Sequence, residues 1–83
     1  MIRVLFFARL REQLDVGQLE LSPSEAGGTV AELKQRLVDR GEPWASALGA
    51  DNLLCALNQQ QARGDEAVAA GDEVAFYPPV TGG

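Results

Sequence analysis

Both ends of this chain read as β-strand, and that restricts its fold more than any other feature. Ile2, Val4, Phe6 and Ala8 share one parity while Arg3, Leu5 and Phe7 share the other. Such alternation, rich in β-branched and aromatic residues, marks a strand with at least one buried face. Near the other end Val74 and Phe76 alternate with Ala75 and Tyr77. A chain of 83 residues buries only about 60–65% of its unfolded surface, enough for one core, so both strands belong to the same sheet. Covalent staples are not available. One cysteine and no histidine exclude a disulfide scaffold, a Cys/His zinc site and a His-dependent nucleophile. Phe7, on the second face of its strand, leaves two readings open: a later element covers it, or a partner does.

Between the terminal strands the chain changes period. Arg9–Asp15, with Leu10 and Leu14 four apart, predicts a short helical turn or structured loop flanked by Arg9 and Arg11. Val16–Leu21 alternates again and suggests a second strand, antiparallel to the first. Ser22–Gly28 has the composition of a loop. Thr29 and Glu32 have capping-box spacing, and Val30, Leu33, Leu37 and Val38 fall on one stripe of the helix that follows, with Arg40-Gly41 closing it. Gly27-Gly28 lacks the Lys-Ser/Thr of a phosphate loop and the third glycine of a dinucleotide motif, so it reads as structural. Trp44, Ala45, Ala47 and Leu48 predict one or two further helical turns, with Trp44 under the helix end. Leu53–Asn58 is nearly continuous and apolar, the pattern of a central strand, and its Cys55 has no base or cation beside it in sequence and reads as core. Asn58–Gln61 reads as a polar turn, and Ala62–Ala69 as a charged loop holding a small strand.

The order strand, strand, helix, strand, weak strand, strand predicts an α+β fold. The end strands pair in the middle of a mixed sheet of four to five strands, with one main helix across one face. That is the β-grasp, or ubiquitin-like, arrangement, expected over residues 1–77, with 78–83 as an extended tail. A net charge of −5 and a pI near 4.5 disfavour nucleic acid and anionic membranes as partners. No apolar run reaches the ~20 residues of a membrane span, and Arg9, Arg11 and Glu12 interrupt the signal-like opening, so the expected location is the cytoplasm. The carboxylates Asp51, Asp65, Glu66, Asp72 and Glu73 are scattered without metal-loop spacing, and no metal site is expected.

The tail carries the chemistry that remains. Pro78-Pro79 stiffens its base, and Gly82-Gly83 has no side chain to obstruct a narrow channel. The Gly83 carboxylate is a poor electrophile until a leaving group such as AMP is attached. After that it accepts a sulfur or amine nucleophile, with machinery that another protein must supply.

Three stretches carry a resemblance: VLFFARLRE (Val4 to Glu12), LLCALNQ (Leu53 to Gln59) and GDEVAFYPPVTGG (Gly71 to Gly83). Together they resemble the small, sulfur-carrying subunits of molybdopterin synthase over nearly the whole length. The resemblance implies a carrier that is not an enzyme on its own. Gly83 would be adenylated by an E1-like activating enzyme using ATP, converted to a thiocarboxylate by a sulfurtransferase, and would pass sulfur to cyclic pyranopterin monophosphate. It further implies that Pro78, Pro79, Val80, Thr81 and Gly82 insert into the large catalytic subunit, and that Phe7, Arg11 and Tyr77 meet that subunit in a heterotetramer. Tyr77 departs from the family pattern, where a second Phe is common. Two alternatives stay open: a carrier for another pathway, and a ubiquitin-like protein modifier, for which Lys34 is the only lysine.

Overall fold

The computed structural model describes residues 1–79. Its elements run β1 (Ile2–Phe6), α1 (Arg9–Leu14), β2 (Gln18–Leu21), α2 (Pro23–Ala26), α3 (Val30–Val38), α4 (Trp44–Leu48), β3 (Leu54–Leu57), β4 (Gln60–Gln61) and β5 (Glu73–Tyr77). They build one mixed sheet in the order β2-β1-β5-β3-β4. The two end strands lie side by side and parallel, Val4 opposite Val74 and Phe6 opposite Phe76, while β2 and β3 join antiparallel on either flank. This is the β-grasp arrangement. The middle strand is β5 rather than β3, because only the two-residue β4 lies beyond β3.

Strand parity decides where the core sits. Ile2, Val4 and Phe6 of β1 and Val74 and Phe76 of β5 face the stripe Val30, Leu33 and Leu37 of α3, and all are buried. Phe6 and Phe76 stack with ring centroids 6.2 Å apart, and Trp44 meets Phe6 edge-on at 5.7 Å. Arg40 lies over the outer face of Trp44 at 5.0 Å. Leu10 and Leu14 of α1, Ala26 of α2, and Ala47 and Leu48 of α4 join the same cluster. Among the described residues all four helices thus feed one side of the sheet, and the opposite face carries none.

Several local expectations change. Ser22–Gly28 is not loop throughout: Ser22 caps α2 by accepting from the Glu25 N–H at 3.3 Å, and the Glu25 carboxylate accepts from the Ser22 N–H at 2.8 Å. That is the complete capping box, with proline favouring the first turn. At α3 only half of the expected box forms. Thr29 Oγ1 accepts from the Glu32 N–H at 3.2 Å, but Glu32 turns back to the Gly28 N–H at 3.0 Å. The free amides of Val30 and Ala31 donate to the carbonyls of Glu66 and Gly64. The Gly27-Gly28 corner is therefore a packed helix start, not a phosphate loop: Gly27 has φ +82, and a Cβ there would meet Glu32 Cβ at 2.9 Å. The polar turn is tighter than expected. Asn58 and Gln59 both take positive φ, and Gln60–Gln61 already forms β4. Within 62–69 the only described pairing is a bridge from Ala67 to Thr29.

Ala8, between β1 and α1, has φ 55 and ψ −135, a region that glycine occupies freely and a Cβ disfavours. Ala8→Gly is therefore expected to stabilise the domain by about 1 kcal/mol. Thermal unfolding measures it; an unchanged or lowered midpoint would show that the corner is not strained.

Candidate functional site

The open face of the sheet is built by the residues the core rejects. In β1 these are Arg3 and Leu5, with Phe7 continuing the parity; in β5, Glu73, Ala75 and Tyr77; in β3, Leu54 and Ala56; in β2, Gln18 and Glu20. The registers set them in rungs. Leu5 stands beside Ala75 and Gln18, Ala75 beside Ala56, and Tyr77 beside Leu54. The Phe7 N–H donates to the Phe76 carbonyl at 3.2 Å, which continues the β1/β5 ladder and places Phe7 and Tyr77 at neighbouring positions on the last rung.

Among the described residues no later element covers Phe7. The residue is 49% exposed, and among the described residues only Met1 is another large hydrophobic so exposed. Tyr77, Leu54, Leu5 and Ala56 are half-buried. An apolar strip thus runs across the sheet at the end where β5 hands over to the tail, and burying such a strip is a source of association energy. Arg11 reaches the strip from α1. Its guanidinium stem lies against Gly17, where a Cβ would meet Arg11 Nε at 3.0 Å, and it lines a shallow hollow with Leu5, Phe7 and Gln18. Among the described residues Arg11 has no ion pair. The structure therefore brings Phe7, Arg11 and Tyr77 to one end of one face. Leu5 and Leu54 belong to the same strip, and their parity relative to Phe6 and Cys55 was the signal for them.

Tail residues Pro78 and Pro79 are half-buried. Pro78 lines a hollow with Arg9, Gln13, Ser46 and Asn52, so the tail starts against the body of the domain. Val80, Thr81, Gly82 and Gly83 lie outside the described residues.

Cys55 is half-buried rather than deep in the core. Its thiol donates to the Ala62 carbonyl at 3.2 Å, and burial pushes it up from the ordinary thiol range, with Lys34 opposing more weakly. Raised thiols are poor nucleophiles. Cys55→Ala is expected to cost about 1 kcal/mol and to leave any chemistry at Gly83 unchanged. A loss of sulfur loading in that variant would bring the thiol into the reaction. Among the described residues no group of three Cys, Asp or Glu side chains is placed to hold a metal, and no helix is long and apolar enough to cross a membrane.

Against known proteins, the model of the ThiS family matches residues 4–83. The molybdopterin synthase sulfur carrier subunits of Haemophilus influenzae and Escherichia coli are each 43% identical over all 83 residues, covering the whole of both chains. Among solved structures, small archaeal modifier protein SAMP1 of Haloferax volcanii is 28% identical with a TM-score of 0.71, over 99% of this chain and 98% of that one. A complex of subunits 1 and 2 of molybdopterin-converting factor from Helicobacter pylori contains a chain of the same fold, 24% identical, TM-score 0.70, over 99% and 97%. With the β-grasp sheet, the apolar strip at the base of the tail and a match that runs through Gly83, the chain belongs to the ThiS family.

Proposed function

We propose that this protein is the sulfur carrier subunit of molybdopterin synthase. The observation that carries the reading is the bare apolar strip around the exit of β5, on a chain that matches the two sulfur carrier subunits along its full length. An E1-like enzyme joins the Gly83 carboxylate to AMP, with pyrophosphate leaving ATP. A sulfurtransferase persulfide then attacks, AMP departs, and a thiol reduces the resulting acyl disulfide, so that the terminus becomes a thiocarboxylate. The tail, Pro78 through Gly82, threads the large subunit, and the thiocarboxylate gives its sulfur to cyclic pyranopterin monophosphate, with water supplying the oxygen that restores the carboxylate. Phe7, Arg11 and Tyr77 hold the two subunits together in a heterotetramer. The domain supplies shape and grip, and catalysis resides in the large subunit. On this reading the protein works in the cytoplasm.

The test is the intact mass of the protein after incubation with ATP, the activating enzyme and the sulfurtransferase. A gain equal to one oxygen replaced by sulfur, confined to the terminal residue, is expected. No gain with enzymes shown to be active on another carrier would overturn the reading. The likeness to the Haloferax modifier favours a second reading, a protein modifier. It would appear in the same experiment as an amide bond to a lysine of another protein, and linkage between copies would have to pass through Lys34.

A further inference from the structure

Both ladders that hold β5 end before the tail begins. On the β3 side the last registered pair is Leu54 and Tyr77. On the β1 side the last bond runs from the Phe7 N–H to the Phe76 carbonyl. Proline at 78 has no N–H with which to add another. The Phe7 carbonyl, the acceptor next in line, takes the Leu10 N–H at 3.2 Å instead. The Leu53 N–H is likewise spent on the Ala50 carbonyl at 3.3 Å. Among the described residues no backbone hydrogen bond reaches Pro78 or Pro79, yet Pro78 is half-buried. Side-chain contact is what remains to hold it. The β3/β5 register, carried one step past Leu54 and Tyr77, sets Leu53 opposite Pro78. Both share the parity of Cys55 and Phe76, on the helix side of the sheet, and they line one hollow with Leu10 and Ala47.

We propose that Leu53 is a positioning residue for sulfur transfer: set opposite the Pro78 ring, it fixes the direction in which the tail leaves the domain and so where Gly83 arrives in the large subunit. The inference rests on the carrier reading above and adds to it a residue from the body of the domain. Proline makes the coupling effective. Its ring closes on its own backbone nitrogen, so ring and main chain turn together, and whatever fixes the ring aims the chain. The leverage is large. From Pro78 to Gly83 the chain spans up to about 17 Å, and a swing of about 10° at the base displaces the tip by about 3 Å. A misplacement of about 1 Å can cost a hundredfold in rate. The channel of the large subunit can straighten a misdirected tail, but the cost of ordering it then falls on every encounter. Leu53 never touches the sulfur; it acts through Pro78.

The test is single-turnover sulfur transfer to cyclic pyranopterin monophosphate by chains carrying the thiocarboxylate, over a range of large-subunit concentrations. Four chains are compared at equal loading, checked by intact mass: wild type, Leu53→Ala, Leu53→Met and Leu57→Ala. Leu57 is on the same strand with the same parity and packs on the rim of the core as Leu53 does. It stands about 13 Å away, opposite Val74. Both alanine variants are expected to melt lower by similar amounts. Only Leu53→Ala is expected to lose about tenfold in rate at saturating large subunit, with the half-saturating concentration within about twofold of wild type. Leu53→Met regains most of that loss. Should Leu53→Ala not fold at the assay temperature, the smaller truncation Leu53→Val takes its place, with a smaller loss in the same direction. Leu53→Ala as fast as Leu57→Ala overturns the positioning role and leaves the carrier reading intact. A change in half-saturating concentration alone also overturns it, because that marks a docking contact. Wild type that gains no sulfur mass with active enzymes overturns the carrier reading, and this inference with it.

Discussion

Deletion of Gly83 is expected to abolish sulfur transfer while shifting stability by no more than about 0.5 kcal/mol. The deleted chain still ends in a glycine carboxylate, so the loss would not come from missing chemistry. It would come from reach, since removing one residue withdraws the terminus by about 3.5 Å. Reacting atoms must approach to about 3–3.5 Å, and a misplacement of about 1 Å can cost a hundredfold in rate. Among the described residues the core is closed by β1, α3 and β5 together with the other helices, so melting should be unaltered. The measurement is molybdopterin formed by the large subunit with the deleted chain, after exposure to ATP, the activating enzyme and the sulfurtransferase. Product at the wild-type rate would sink the proposed mechanism.

The second large effect is expected from Phe76→Ala. Phe76 is 1% exposed, lies on the middle strand opposite both Phe6 and Cys55, and stacks on Phe6. Truncating such a ring costs about 3–5 kcal/mol, from lost transfer free energy plus the cavity left behind. For a domain of this size the whole stability is about 4–12 kcal/mol, so the variant should melt at least about 12 °C lower or fail to fold at ordinary temperatures. Tyr77→Ala, one residue along on the open face, should cost about 1 kcal/mol and instead weaken docking to the large subunit. Equal destabilisation by the two variants would contradict the assignment of the faces.

The fold was legible because its two ends alternate with period two and one stripe in the middle has period near 3.6. Those patterns placed Ile2, Val4, Phe6, Val74, Phe76, Val30, Leu33 and Leu37 in the core, where they lie. What escaped was settled by contacts distant in sequence or by turn chemistry without its usual residues. The tight turn at Asn58-Gln59 contains no glycine. The carbonyls of Gly64 and Glu66 that satisfy the start of α3 are more than thirty residues away. The Ser22/Glu25 box was present in the sequence, but a segment rich in Ser, Pro and Gly concealed a four-residue helix. At the site, parity put Phe7 and Tyr77 on one face. Whether that face is covered depends on which side the connections cross, and no strand pattern records it.

One consequence of the sheet order concerns force. β5 has a neighbour on each side and continues directly into the tail, so traction along the tail runs along the strand and across its ladder of hydrogen bonds. Bonds loaded in that direction share the load and give way together, whereas a peeled edge strand loses them one by one. A protein that gripped the tail and drew it through a narrow channel would therefore tow the domain whole, with β1 and β3 anchoring the strand between them.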